Sequence, residues 1–250
     1  MFKLAYGAIG WDLPMSQVAE IISGLGYQGL EGFGLLELLP EDEQLAERLR
    51  DHRLSFVGSY FSGSFVQPDR LEHEIANFRD TCRRIRAFGG NKVAVGAGRI
   101  IPNQDREVLW QRLIPALIQL SQVAVSEGVV LCLHPHQGNL VYTEEETARV
   151  VAETPPTIML TLDTAHLSAS KCDVVKVFER FSDRLGHVHL KDYRNRFLPL
   201  GEGDVPLADV LNYLQSIKYE GWATVELDAT HEPEVDARKS MDFLRKHLRF

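Results

Sequence analysis

Four side chains able to hold a cation stand near the ends of four successive apolar runs: His134, Asp163, His189 and Glu226. The runs are VVLCLHPH (Val129–His136), IMLTLDTAH (Ile158–His166), LGHVHLKD (Leu185–Asp192) and GWATVELD (Gly221–Asp228). Two imidazoles and two carboxylates suit a borderline divalent ion such as Mn²⁺, Co²⁺, Fe²⁺ or Zn²⁺, and two carboxylate charges would neutralise it. A strand-end histidine is by itself more often a hydrogen-bonded surface or core group. Four such positions in register across four strands point instead to a shared metal site. Other polar groups gather in the same segments: His136, Gln137, His166, Lys191, Asp192 and Arg194. His136 and His134 share a side by strand alternation, as do His187 and His189. His187 lies deeper and is expected inside the barrel, supporting a ligand. Lys191 is expected either to face a substrate oxygen or to pair with Asp163 or Glu226. Glu31, buried by its context, needs a partner and is either a site acid or base or half of a structural ion pair.

These residues can converge only if the elements carrying them are parallel, and the chain reads that way. Strand-like segments at Lys3–Ile9, Gly29–Phe33, Ser55–Phe61, Lys92–Ala97, Val129–Pro135, Ile158–Asp163, Gly186–Lys191 and Trp222–Leu227 alternate with helical patterns. Among those helices are a charged one over Glu41–His52, with Leu45 and Leu49 on one side, and a long one over Asp69–Phe88. Another runs over Asp105–Glu127, where Pro115 is a candidate kink. Thr143 followed by Glu146 is a capping-box signature that opens a further helix. Three more are expected over Asp173–Phe181, Leu207–Ile217 and Val235–Leu248. The strands are short and apolar on both faces, as parallel strands are. Eight strand–helix pairs without a linker predict a single (β/α)8 barrel over residues 1–250. The rival, an open doubly wound sheet, would carry a glycine-rich phosphate loop after its first strand, which GAIGWDLP does not resemble.

Composition narrows the field of functions. At 250 residues, 44% apolar and 25% charged, the chain is ordinary for a globular protein. A net charge of −8 disfavours a non-specific nucleic-acid partner. Cys82, Cys132 and Cys172 are far apart, so a disulfide framework is not expected and a reducing cytoplasm is the default. Cys132 reads as a small core residue. No run reaches the roughly 18 apolar residues of a membrane span. Trp11, Phe33, Tyr60, Phe61 and Phe65 are expected in packing or pocket walls. The loop Asn195–Gly203 either covers the site, with Gly201 and Gly203 as pivots, or is a static turn.

The segments LDTAHL, HVHLKD, LGEGDVPL and GWATVELD resemble the xylose isomerase-like TIM barrels of the sugar phosphate isomerase/epimerase superfamily. The resemblance runs over essentially the whole chain. It implies that Asp163, His189 and Glu226 bind a divalent metal (Mn²⁺, Co²⁺, Mg²⁺ or Zn²⁺) and that His166 contacts substrate. Isomerases and epimerases of the superfamily usually carry a Glu at the end of strand five, where this chain has His134. LHPHQGNLVYTEEE is similar to the inosose dehydratase branch, although Asn139 stands where Thr is usual and Ala165 where Gly is usual.

The resemblance therefore implies an enzyme acting on a small sugar-like ketone by proton abstraction beside a metal-bound carbonyl. Glu226, His134 and His166 are the candidate catalytic groups, with His136, His166, Lys191, Arg194 and Glu31 toward substrate. Losing one of two carboxylate bases favours dehydration over isomerisation or epimerisation. An endonuclease IV-like phosphodiesterase and a non-catalytic sugar-binding barrel are weaker alternatives. A homo-oligomer is compatible with the sequence, which does not specify one.

Overall fold

The computed structural model describes residues 2–34, 42–98 and 100–248. Eight parallel strands close into a barrel. They are β1 (Lys3–Gly7), β2 (Gly29–Phe33), β3 (Ser55–Phe61), β4 (Lys92–Gly96), β5 (Val130–His134), β6 (Met159–Asp163), β7 (Leu185–Leu190) and β10 (Trp222–Val225), with β1 pairing both β2 and β10. The pair β8 (Asp192–Tyr193) and β9 (Phe197–Leu198) is a separate antiparallel hairpin. The helices are α1 (Met15–Leu25), α2 (Asp42–Asp51), α3 (Leu71–Ala87), α4 (Arg106–Ser126), α5 (Glu144–Glu153), α6 (Thr164–Ala169), α7 (Val174–Arg180), α8 (Leu207–Ser216) and α9 (Pro233–His247). The expected start of the second helix, Glu41, lies outside the described residues.

Local chemistry explains the elements. The β7 strand is buried along its whole length, and β4, β5 and β6 are buried at all but their first residue, which leaves their apolar runs nowhere to face but core. The expected capping box is formed: Thr143 Oγ1 accepts from the Glu146 N–H, and the Glu146 carboxylate accepts from the Thr143 N–H. Helix α4 opens with Asp105 accepting from the Glu107 N–H and continues through Pro115. By length and composition this helix is long and apolar enough to cross a membrane. In the fold, Leu109, Leu113, Leu117 and Leu120 are buried in the common core.

Two features were not read from the sequence. Helix α6 follows directly on β6, and the polar loop after β7 contains the β8–β9 hairpin. Both are too short to show a hydrophobic period. Cys82 and Cys132 are buried free thiols, each pushed up to about 12 by burial, so neither is poised as a nucleophile.

The pairing of β2 with β3 slips by one residue. Leu30 faces Phe56 while Glu31 faces Gly58, so Val57 is the extra residue. A Cβ at Gly58 would collide with the Lys92 carbonyl on the next strand. Substituting Gly58→Ala should therefore lower unfolding stability by about 1–3 kcal/mol, the usual cost of overpacking. Urea denaturation with an unchanged slope checks this; a midpoint equal to wild type would show that the close approach is dispensable.

Candidate metal centre and substrate pocket

The four expected ligands meet. Their donor atoms (His134 from β5, Asp163 from β6, His189 from β7 and Glu226 just beyond β10) all lie within 4.8 Å of one another. His134 Nε2 is 3.6 Å from Asp163 Oδ2, His189 Nδ1 is 4.0 Å from the same oxygen, and His189 Nδ1 is 3.1 Å from Glu226 Oε1. The first three residues are buried, and the Glu226 side chain is 11% exposed.

Backbone devices aim these groups. Asp163 is the N-cap of α6, and its Oδ1 accepts from the Ala165 and His166 N–H groups at 2.8 and 2.9 Å. That leaves Oδ2 for the cluster. Behind His189 lies Glu31, reaching across the barrel from β2. Its two oxygens accept from His187 Nε2 at 2.7 Å and His189 Nε2 at 3.1 Å. A carboxylate on the far ring nitrogen fixes the orientation of a ligating imidazole and turns Nδ1 to the centre. Of the two roles expected for Glu31, the structure gives it the buried ion pair. His187 takes the interior, supporting position expected of it.

The donor set fits a divalent ion. Bonds of about 2.0–2.2 Å place neighbouring donors roughly 3–3.5 Å apart, and the separations of 3.1 and 3.6 Å lie at or near that range while that of 4.0 Å would have to shorten. Both His134 nitrogens, Asp163 Oδ2 and His189 Nδ1 are buried with no hydrogen-bond partner, a condition that native interiors rarely tolerate. The Nδ1–Glu226 approach at 3.1 Å is a charge contact without hydrogen-bond alignment.

Charge follows position. Burial pushes the His134 imidazole down to about 4, so it stands neutral. Burial would also lower His189, but Glu226 and Glu31 outweigh it and hold the ring well above its ordinary range. Burial would raise the Asp163, Glu226 and Glu31 carboxyls. Lys191 and His166 beside Asp163, His189 and Lys191 beside Glu226, and His187 and His189 beside Glu31 hold them below the usual carboxylate range instead.

Lys191 realises the ion-pair alternative. Its buried Nζ is 2.9 Å from Glu226 Oε1, 2.9 Å from Asp228 Oδ1 and 3.4 Å from Asp163 Oδ2. Asp228 was not singled out by sequence. The signal was its place two residues after Glu226, which carries it past the end of β10 to the same mouth.

A second group, His136, His166 and Asp228, stands within 4.8 Å of one another beside the first. The His136 and His166 rings are 3.9 Å apart between centroids. His136 Nδ1 donates to the Gln137 carbonyl at 2.7 Å, which leaves Nε2 as an acceptor. The Gln137 N–H donates to His166 Nδ1 at 3.4 Å, which leaves Nε2–H as a buried donor without a partner. Burial holds His166 neutral, down to about 2.

His136 and Asp228 open on a cavity of about 800 Å³ that runs past Tyr60 and Phe33 toward Gln67 and Glu74. Phe33 stacks on Tyr60, with centroids 6.0 Å apart and rings at 16°. Phe65 is core, as expected.

Arg194 is not brought to this cluster. It leans outward, its side chain 56% exposed, and grips Asp204 at 2.8–3.0 Å. A bidentate partner ten residues along the chain holds the guanidinium there. The loop Asn195–Gly203 lies over the site and is tied down by Asp192. Asp192 accepts from the backbone N–H groups of Tyr193, Gly201, Gly203 and Val205. Phe197 on its hairpin packs 4.8 Å from the His166 ring and 4.8 Å from Lys191 Nζ.

Known proteins share this fold. The chain is 26% identical to an inosose dehydratase of Lactiplantibacillus plantarum over 96% of its length and 91% of that protein. It is 29% identical to an inosose dehydratase of Salmonella typhimurium over 90% of its length and 88% of that protein. Among solved structures, the probable 3-DHS dehydratase AsbF of Bacillus anthracis superposes with a TM-score of 0.86 at 17% identity, covering 98% of this chain and 99% of that one. D-psicose 3-epimerase of Clostridium cellulolyticum gives 0.82 at 20% identity over the full length of both chains. The IOLI protein with a bound zinc atom gives 0.82 at 18% identity, also over the full length of both. The family model for the xylose isomerase-like TIM barrel matches residues 19–247, and the chain belongs to that family.

Proposed function

We propose that this chain is a divalent-metal-dependent enzyme that removes a proton beside the carbonyl of a small polyhydroxylated ketone and then expels water. One observation carries the proposal: two imidazoles and two carboxylates converge at the mouth of a parallel barrel, with buried donor atoms that lack a hydrogen-bond partner, beside a pocket. The inosose dehydratase relatives support a cyclic ketone as substrate. His134, Asp163, His189 and Glu226 would hold the ion. Two imidazoles favour Mn²⁺, Co²⁺ or Zn²⁺ over Mg²⁺. A bound divalent ion supplies a Lewis acid that polarises the ketone and acidifies the adjacent C–H.

The chain's own residues do the rest. Glu226 is a poor base where it stands, because His189 and Lys191 engage it. His134 is buried and neutral, a ligand rather than a proton shuttle. Proton removal falls to His136, whose Nε2 is fixed as the acceptor. His166 offers its free Nε2–H to the departing hydroxyl oxygen. The two rings stand side by side, so the proton and the hydroxyl leave from one face of the substrate.

That arrangement favours elimination over epimerisation, which needs groups on opposite faces. The epimerase neighbour keeps isomerisation or epimerisation as the second outcome. The wider setting we propose is one domain over residues 1–250, a cytoplasmic location in keeping with the free thiols, and no nucleic-acid partner in keeping with the net charge of −8.

Proton NMR in D₂O of the Mn²⁺-loaded protein with 2-keto-myo-inositol and a ketose panel tests the reaction. The expected outcome is loss of an α-proton signal with growth of a diketone. Deuterium uptake with an inverted centre or a shifted carbonyl would assign an isomerase or epimerase, and no change across the panel would leave a binding barrel. Substituting His134→Glu should alter the product ratio more than the metal content; an unchanged ratio counts against the lyase assignment. Substituting Glu31→Gln should weaken Mn²⁺ binding by about 10–100-fold through loss of imidazole orientation. Calorimetric affinity equal to wild type would remove that role from Glu31.

A further inference from the structure

Lys191 is an unusual neighbour for a cation site. Its side chain is fully buried, and its ammonium stands among the carboxylates that would hold the ion. It is also fixed there. Thr164 clamps its backbone from both sides, with Oγ1 donating to the Lys191 carbonyl at 2.6 Å and accepting from the Lys191 N–H at 2.9 Å. The Phe197 ring closes over Nζ. With its backbone held and its ammonium buried beneath Phe197, the lysine places its charge beside any ion these ligands take.

The charges around it say how. Three carboxylates touch the ammonium, but only Asp163 and Glu226 belong to the ligand set. Asp228 is the third. It is part-exposed at the pocket wall and reaches Nζ at 2.9 Å, as close as Glu226 does. Once two carboxylates are given to a divalent ion, Asp228 remains as the counter-charge for Lys191.

We propose that Lys191 and Asp228 form an internal charge pair that sets how tightly this site takes a divalent cation. Lys191 substitutes for the ion by holding Asp163 and Glu226 together, and it opposes the ion by repulsion. Asp228 draws the ammonium aside and relieves that repulsion. The inference rests on the metal site proposed above and extends it to two residues outside the ligand set. Their effects on affinity must have opposite signs, which a purely structural role for the lysine would not produce. A positive charge at these distances is felt strongly in a buried site, because screening is weak there.

The test is calorimetric titration of the chelator-stripped, full-length protein with Mn²⁺ alone, at fixed pH and ionic strength. Lys191→Met should bind at least tenfold more tightly than wild type. Asp228→Asn should bind at least threefold more weakly. The double variant should return to within about threefold of wild type. Lys191→Gln serves in place of Lys191→Met if the latter does not fold, and Asp228→Asn is an independent arm because its site is part-exposed. Thermal unfolding gives a second readout: saturating Mn²⁺ should raise the midpoint more in the lysine variant than in wild type. Wild type that binds Mn²⁺ while the lysine variant binds equally or more weakly overturns this proposal alone. So does an Asp228→Asn variant that binds as wild type or more tightly. Wild type that takes up no Mn²⁺ overturns the metal site, and this proposal with it.

Discussion

Four carboxylates, Glu31, Asp163, Glu226 and Asp228, crowd the mouth of the barrel, and electrostatics requires positive charge among them. Burying an ion without a partner costs far more than any one contact restores. The chain answers with Lys191, whose ammonium touches three of the four, and with His189, whose ring lies between Glu31 and Glu226. Even so, buried donor atoms on His134, Asp163 and His189 lack a hydrogen-bond partner. Those atoms are the ones the proposed cation would satisfy.

The barrel makes this concentration possible. Parallel strands deliver their C-terminal ends to one face, and the interior lets a residue on β2 reach imidazoles on β7. The precision comes from smaller devices. Asp163 is divided between capping α6 and facing the centre. The slip between β2 and β3 at Val57 pairs Glu31 with Gly58. Asp192 gathers four backbone N–H groups, and so the hairpin bearing Phe197 sits over Lys191 and His166 as a fixed cover. Each device ties a loop or strand end to the chemistry by a bond that only the folded chain can make.

Much of this was legible in the sequence. The alternation of short apolar strands with amphipathic helices gave the barrel, because a core must be filled at periods of two and 3.6 residues and those periods are written locally. His134, Asp163, His189 and Glu226 were legible for the same reason: each stands where an apolar run stops, and strand ends share a face. Helix α6 and the β8–β9 hairpin were not legible. They are held by the Asp163 and Asp192 carboxylates rather than by hydrophobic periodicity. The partner of Arg194 was not legible either, because its proximity to HVHLKD along the chain says nothing of Asp204, which the hairpin returns to its side.

The sequence by itself determined which groups are available and in what order: the barrel and the four donors at the ends of its last four barrel strands. Only the tertiary structure decided what each group does. It put Glu31 behind His189, placed Lys191 between Asp163, Glu226 and Asp228, and set His136 beside His166 with opposite hydrogen-bonding roles. The physical reason is range. Strand ends and periodicity are properties of neighbouring residues, whereas charge balance and proton placement depend on atoms a few ångströms apart in space and up to 158 residues apart in the chain.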